Sequence, residues 1–123
     1  VIFPEGQLSE DGNLQPFLPG VIMVAQRAGV PILPVAMLRV NEMMPYAELK
    51  PRRIGKPLII RFGKPISTEE LTGGLKGSEG YHKGAERLHS LVQALLDGKP
   101  YPVLEPLAST TQAIVNSSEE KEV

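Results

Sequence analysis

The stretch V-P-I-L-P-V-A-M-L, from Val30 to Leu38, decides the fold. It is short, carries no charge and is rich in β-branched and aliphatic side chains, which reads as a strand covered on both faces, as in a parallel sheet. It is far below the ~18 apolar residues that suggest a membrane-crossing helix, and prolines interrupt it. Pro31 and Pro34 have no N–H to offer a ladder, so the strand is expected at a sheet edge or with an irregularity at the prolines.

Working outward, the segment from Pro19 to Ala28 predicts a helix, because Pro19 suits a first turn and Gly29 the position just past a C-terminus. Val21, Ile22, Val24, Ala25 and Ala28 cover most of its circumference, so it is expected to be largely buried. Further upstream, Val1-Ile2-Phe3 reads as the end of a buried strand entered midway, stopped by Pro4 and opened into a loop by Gly6 and Asp11-Gly12. We therefore expect the C-terminal part of a longer protein.

Downstream, residues 39–56 show no clean periodicity and hold Pro45, Pro51 and Gly55, which predicts a long surface excursion. Leu58 to Phe62 predicts a second strand, and Ser67 or Thr68, followed by Glu69 and Glu70, a helix start. Gly73, Gly74, Gly77 and Gly80 loosen the chain before an amphipathic helix over about His82 to Asp97, closed by Gly98 and Pro100. The expected class is α/β: part of a mixed, mostly parallel sheet flanked by helices and incomplete at the N-terminus. Residues 1–104 are expected to form the packed part, and residues 105–123, with few large apolar groups, a disordered tail.

Composition excludes several functions. The 123 residues carry 13 Lys and Arg against 14 Asp and Glu, a net charge of −1, so the positive field of a nucleic-acid binder is missing. There is no cysteine, hence no thiolate nucleophile and no Cys-based zinc site. His82 and His89, seven apart on the predicted helix, suit structure better than a metal. No P-loop, G-x-G-x-x-G or G-x-S-x-G is present. Between Glu48 and Lys64, Lys50, Arg52, Arg53, Lys56, Arg61 and Lys64 face one acid, a patch that reads either as a solvated loop or as an attractor of phosphate head groups or an anionic membrane surface. At Phe3-Pro4-Glu5-Gly6 a carboxylate sits where a strand ends, flanked by a stiff residue and one that lets backbone come near.

The pattern V-I-F-P-E-G-x-x-S-x-D-G-x-L-x-P-F-x-P-G, then a helix, then A-G-V-P-I-L-P-V-A, resembles the glycerolipid acyltransferase family. Two of that family's blocks stand in order, at Phe3 to Gly6 and at Val30 to Val35, and Ile59 to Ile66 echoes its late strand. The resemblance implies transfer of a fatty acyl group from acyl-CoA or acyl-carrier protein, as donor substrate rather than cofactor, to the hydroxyl of a lysophospholipid. It also implies a membrane-associated protein at the cytoplasmic face. Residues implied at the acceptor site are Phe3, Pro4, Glu5 and Gly6, with Pro31 and Pro34 shaping the wall beside them.

The family's His-x-x-x-x-Asp block, whose imidazole is the general base on the acceptor hydroxyl, is not in this sequence: five residues after His82 stands Arg87, and after His89, Ala94. No catalytic residue is assigned within the chain, which is expected to be inactive alone and marginally stable. The basic residue that follows F-P-E-G-T in relatives using glycerol phosphates is also replaced, since Gln7 and Leu8 stand there. Arg61, Lys64 or the 50–56 cluster are the candidates to hold a phosphate; otherwise the acceptor carries a larger head group. The alternative is a non-catalytic α/β lipid-binding or interaction module.

Overall fold

The computed structural model describes residues 1–107. Its elements are α1 (Gly20–Ala28), β1 (Val35–Leu38), α2 (Val40–Met43), β2 (Ile59–Phe62), α3 (Thr68–Thr72) and α4 (Gly77–Asp97). Helix ends follow local chemistry. Gly29 and Gly98 close α1 and α4 in left-handed conformation, and the Ser67 hydroxyl caps α3 by accepting from the Glu70 N–H at 3.1 Å.

The core lies where α4 meets α1, α3 and the sheet. Ile22, Ile66, Leu71, Ala85, Leu88 and Leu91 are buried together, with Phe17, Val21, Ile32, Tyr81, Tyr101 and Leu104 packed around them. α4 starts at Gly77, five residues earlier than its periodicity suggests, and Gly80 and Gly84 are contact points along it. A Cβ on Gly84 would stand 3.2 Å from Ile22 Cγ1, so the small residue lets α1 approach closely.

The chain is α/β, but the mostly parallel mixed sheet is not what the described residues form. β1 pairs antiparallel with β2, Val35 opposite Phe62 and Leu38 opposite Ile59, in a two-stranded sheet. A parallel partner would need a crossover, usually a helix packed on the sheet, and the connection from β1 to β2 contains only the four-residue α2. Cover on both faces is corrected too. Ala36 is buried on the side of α4, whereas Val35, Met37, Ile60 and Phe62, all on the opposite face, are 37%, 45%, 55% and 65% exposed. α1 is likewise one-sided: Ile22 and Ala25 are buried and Val24 is exposed.

The prolines act as the sequence suggests. Before β1 the pairing continues only as an isolated bridge between Ile32 and Ile66, each donating to the other at 2.8 Å, and the Pro34 carbonyl accepts from the Gly63 N–H. Between this bridge and the Val35–Phe62 pair, two residues (33 and 34) face three (63–65). The extra residue makes a bulge, and the prolines lie where no ladder donor is required. Val1 to Phe3, expected as a strand end, has no strand partner among the described residues and is exposed.

Past α4 the chain returns across the core. The Arg87 guanidinium donates to the Glu105 carbonyl, and the Leu107 N–H to the Gly73 carbonyl at 2.8 Å. The rest of the expected tail, 108–123, lies outside the described residues. The Tyr101 hydroxyl oxygen is buried and has no partner at hydrogen-bond geometry among the described residues; burial pushes its pKa up, against a smaller pull from the nearby Lys64 backbone. Tyr101→Phe removes an unpaired polar atom and keeps the ring, so we expect it to raise stability by up to about 1 kcal/mol in urea unfolding. A loss of stability would mean that the hydroxyl is satisfied.

Candidate functional site

The F-P-E-G segment begins a loop whose two ends are tied together. The Gly6 N–H donates to the Phe3 carbonyl at 3.2 Å, and the Leu18 N–H to the Pro4 carbonyl at 2.8 Å. Between them, Glu5 Oε2 accepts the Gln15 N–H at 2.8 Å from a half-buried position. Gly6 has φ +71°, and a Cβ there would sit 2.6 Å from Leu18 Cδ1, so both conformation and space favour glycine.

Inside the loop, alternate polar residues form a second network. The Asn13 N–H donates to Asp11 Oδ1 at 2.9 Å and its side-chain amide to Oδ2 at 3.2 Å; the Ser9 hydroxyl lies 2.7 Å from the Asn13 carbonyl and 3.1 Å from Asp11 Oδ1. These bonds, the Asn13 backbone N–H foremost, hold the Asp11 carboxyl below the usual carboxylate range, so it is ionised. The Gln15 side-chain amide donates to the Asn13 carbonyl at 3.0 Å.

The loop packs at two places. Phe17 meets the His89 ring of α4 edge-on, with centroids 5.1 Å apart. On the other side a cavity of about 420 Å³ is lined by Gln7, Leu8, Glu10, Asp11, Gln15 and Tyr46. Tyr46 comes from the 39–58 excursion, which is held by the Arg39 guanidinium on the Pro57 carbonyl at 2.9 Å and by the Glu48–Arg52 ion pair.

Phe3 to Gly6 are brought together at the loop mouth, but none of them lines this cavity. Pro31 is exposed and Pro34 buried on the segment before β1. The Arg61 guanidinium is occupied: it donates to the Leu95 carbonyl at 2.7 Å and the Leu96 carbonyl at 3.2 Å, at the end of α4. α4 has no basic residue in its own last turn, so Arg61 supplies the cation that its dipole favours. Lys64, Lys50, Arg53 and Lys56 are exposed and have no ion-pair partner among the described residues. Among those residues no group of three or more His, Asp or Glu could hold a metal ion, and no helix is long and apolar enough to cross a membrane.

Sequence reasoning missed Gln15 and Tyr46. The alternation of Ser9, Asp11, Asn13 and Gln15 is the one signal that could have pointed to the first. Nothing local marks Tyr46, which reaches the cavity only through the path of the excursion.

Comparison with known proteins places these segments in context. A family model described as Acyltransferase matches residues 1–38, the stretch that holds both the loop and β1. The chain is similar to the chloroplastic 1-acyl-sn-glycerol-3-phosphate acyltransferase BAT2 of Brassica napus, 42% identical over 43 residues, 35% of this chain and 12% of that protein. It is also similar to the 1-acyl-sn-glycerol-3-phosphate acyltransferase alpha of Mus musculus, 36% identical over 73 residues (58% and 25%), and to the enzyme of that name from Limnanthes douglasii, 29% identical over 72 residues (58% and 25%). The chain thus spans a quarter or less of the length of these relatives. No solved structure matches.

Proposed function

We propose that the chain, similar to acyltransferases over residues 1–38, is a piece of a glycerolipid acyltransferase, an enzyme transferring a fatty acyl group to the hydroxyl of a lysophospholipid such as 1-acylglycerol-3-phosphate in phospholipid synthesis. The donor is acyl-CoA or acyl-carrier protein. The observation that carries this reading is that the family match, residues 1–38, coincides with the tied loop 4–18 and with the proline-marked segment before β1. In the complete enzyme these would join a larger, mostly parallel sheet.

An alcohol attacks an acyl thioester only when its proton is accepted in the transition state. No His-x-x-x-x-Asp is present in the sequence, so the base comes from further polypeptide and this chain alone is inactive. The cavity wall presents Glu10 and Asp11 and no cation, so it does not itself hold the acceptor's phosphate. Phosphate or an anionic membrane at the cytoplasmic face is met instead by Lys50, Arg53, Lys56 and Lys64, each adding about 1 kcal/mol near such a surface. Arg61 is engaged by the Leu95 and Leu96 carbonyls of α4 and is not counted among these cations.

The test is thiol release from acyl-CoA and acyl-carrier protein over a panel of lysophospholipids presented on phosphatidylserine-containing or phosphatidylcholine vesicles. It is run with this chain and with a longer polypeptide containing it and an H-x-x-x-x-D block. We expect turnover only with the longer polypeptide, and tighter sedimentation with the anionic vesicles. Turnover by the chain itself would refute the missing base, and none by either with any acceptor would favour the non-catalytic module.

A further inference from the structure

We infer that Glu5 is a positioning residue, whose carboxylate shapes the cavity wall as a hydrogen-bond acceptor rather than meeting the acceptor lipid. The inference rests on the acyltransferase reading for its functional consequence, and on the loop alone for its physical part.

Three observations carry it. Glu5 Oε2 accepts the backbone N–H of Gln15 at 2.8 Å, across ten residues of chain. Residues 3–6, themselves turned by the Gly6–Phe3 backbone bond, are joined to 15–18 by two bonds, Leu18 N–H to the Pro4 carbonyl and Gln15 N–H to Glu5, of which Glu5 supplies the side-chain one among the described residues. Gln15 lines the cavity of about 420 Å³ and Glu5 does not; five of the six lining residues belong to the loop that these bonds close. Glu5 thus sits behind the wall and fixes the residue in front of it.

A backbone N–H needs an oxygen at this place but not a negative charge, because a neutral amide oxygen of the same length satisfies it equally in geometry. Had the carboxylate served to attract or orient a substrate by its charge, the amide would fail as completely as a truncation. Glu5→Gln and Glu5→Ala therefore separate the two roles.

The experiment has two arms. In the 123-residue chain, amide hydrogen exchange at Gln15 is followed by NMR, with the α4 amides of Leu88 to Val92 as internal reference. Glu5→Gln is expected to exchange far closer to the parent rate than Glu5→Ala, which should exchange about tenfold faster, as loss of one hydrogen bond implies. The α4 amides should be unchanged in Glu5→Gln. Should Glu5→Ala not fold, Glu5→Gln still decides: unprotected Gln15 in a folded Glu5→Gln chain overturns the inference. In the longer polypeptide, Glu5→Gln should change KM and kcat far less than Glu5→Ala, which should raise KM more than it lowers kcat. Equal loss of activity in both variants overturns the positioning role. An intact Gln15 pattern, in a protein inactive on every acceptor, leaves the loop assignment standing and removes the acyltransferase reading.

Discussion

Leu91→Ala is expected to remove a large share of the isolated chain's stability. Leu91 is fully buried at the middle of α4, in one cluster with Ile22 of α1 and Leu71 of α3. Truncation there removes the transfer energy of a buried side chain and leaves a cavity that three packed helices cannot fill, together about 2–5 kcal/mol. The margin it draws on is small, since a domain holds about 5–15 kcal/mol in total and this one has a whole sheet face uncovered. Urea unfolding followed by far-UV circular dichroism is the measurement, with Phe62→Ser as the matched control. Phe62 is 65% exposed, so its replacement should change stability by no more than about 0.5 kcal/mol. A Leu91→Ala shift as small as that of the control would mean that the α1–α3–α4 packing is not what holds the chain together.

The same contrast explains what could be read from the sequence. Helix ends were legible because their causes are local: Pro19 and Gly29 bound α1, Ser67 caps α3, Gly98 stops α4. The direction of the strand pair was not, because it is set by partners more than twenty residues apart. Val35, Met37, Ile60 and Phe62 also make both strands look doubly covered, although only the Ala36 side meets α4. Spacing of charges misled in a similar way. Arg61 reads as one of six available cations, and only the landing of the α4 C-terminus beside β2 shows that its guanidinium is engaged. For the candidate site, the F-P-E-G junction was legible as the start of a loop, but the strand expected to end there is not formed among the described residues. The bond from Glu5 to Gln15 was not, because no periodicity relates a carboxylate to a backbone N–H ten residues away.

Gly80 turns that difference between local and tertiary causes into a sign. By helix propensity alone, Gly80→Ala within α4 should stabilise the chain by about 1 kcal/mol. The space around it says otherwise. A Cβ on Gly80 would stand 2.4 Å from the Leu75 carbonyl oxygen and 2.9 Å from its carbon, with the Thr72 Cβ at 3.5 Å behind. These first two atoms are backbone, in the turn where the Leu75 N–H donates to the Thr72 carbonyl at 3.2 Å, so they cannot rotate aside as a side chain would. Moving them opens the α3–α4 connection above buried Leu71 and Thr72. Overpacking of this kind costs about 1–3 kcal/mol, which outweighs the propensity gain. We therefore expect Gly80→Ala to lower the urea midpoint, while Ser78→Ala, exposed on the first turn of the same helix, leaves it unchanged or raises it slightly. A stabilised Gly80→Ala chain would show that α4 does not run unbroken through its glycines against Leu75, and that the helix starts near His82 as its apolar spacing alone suggests.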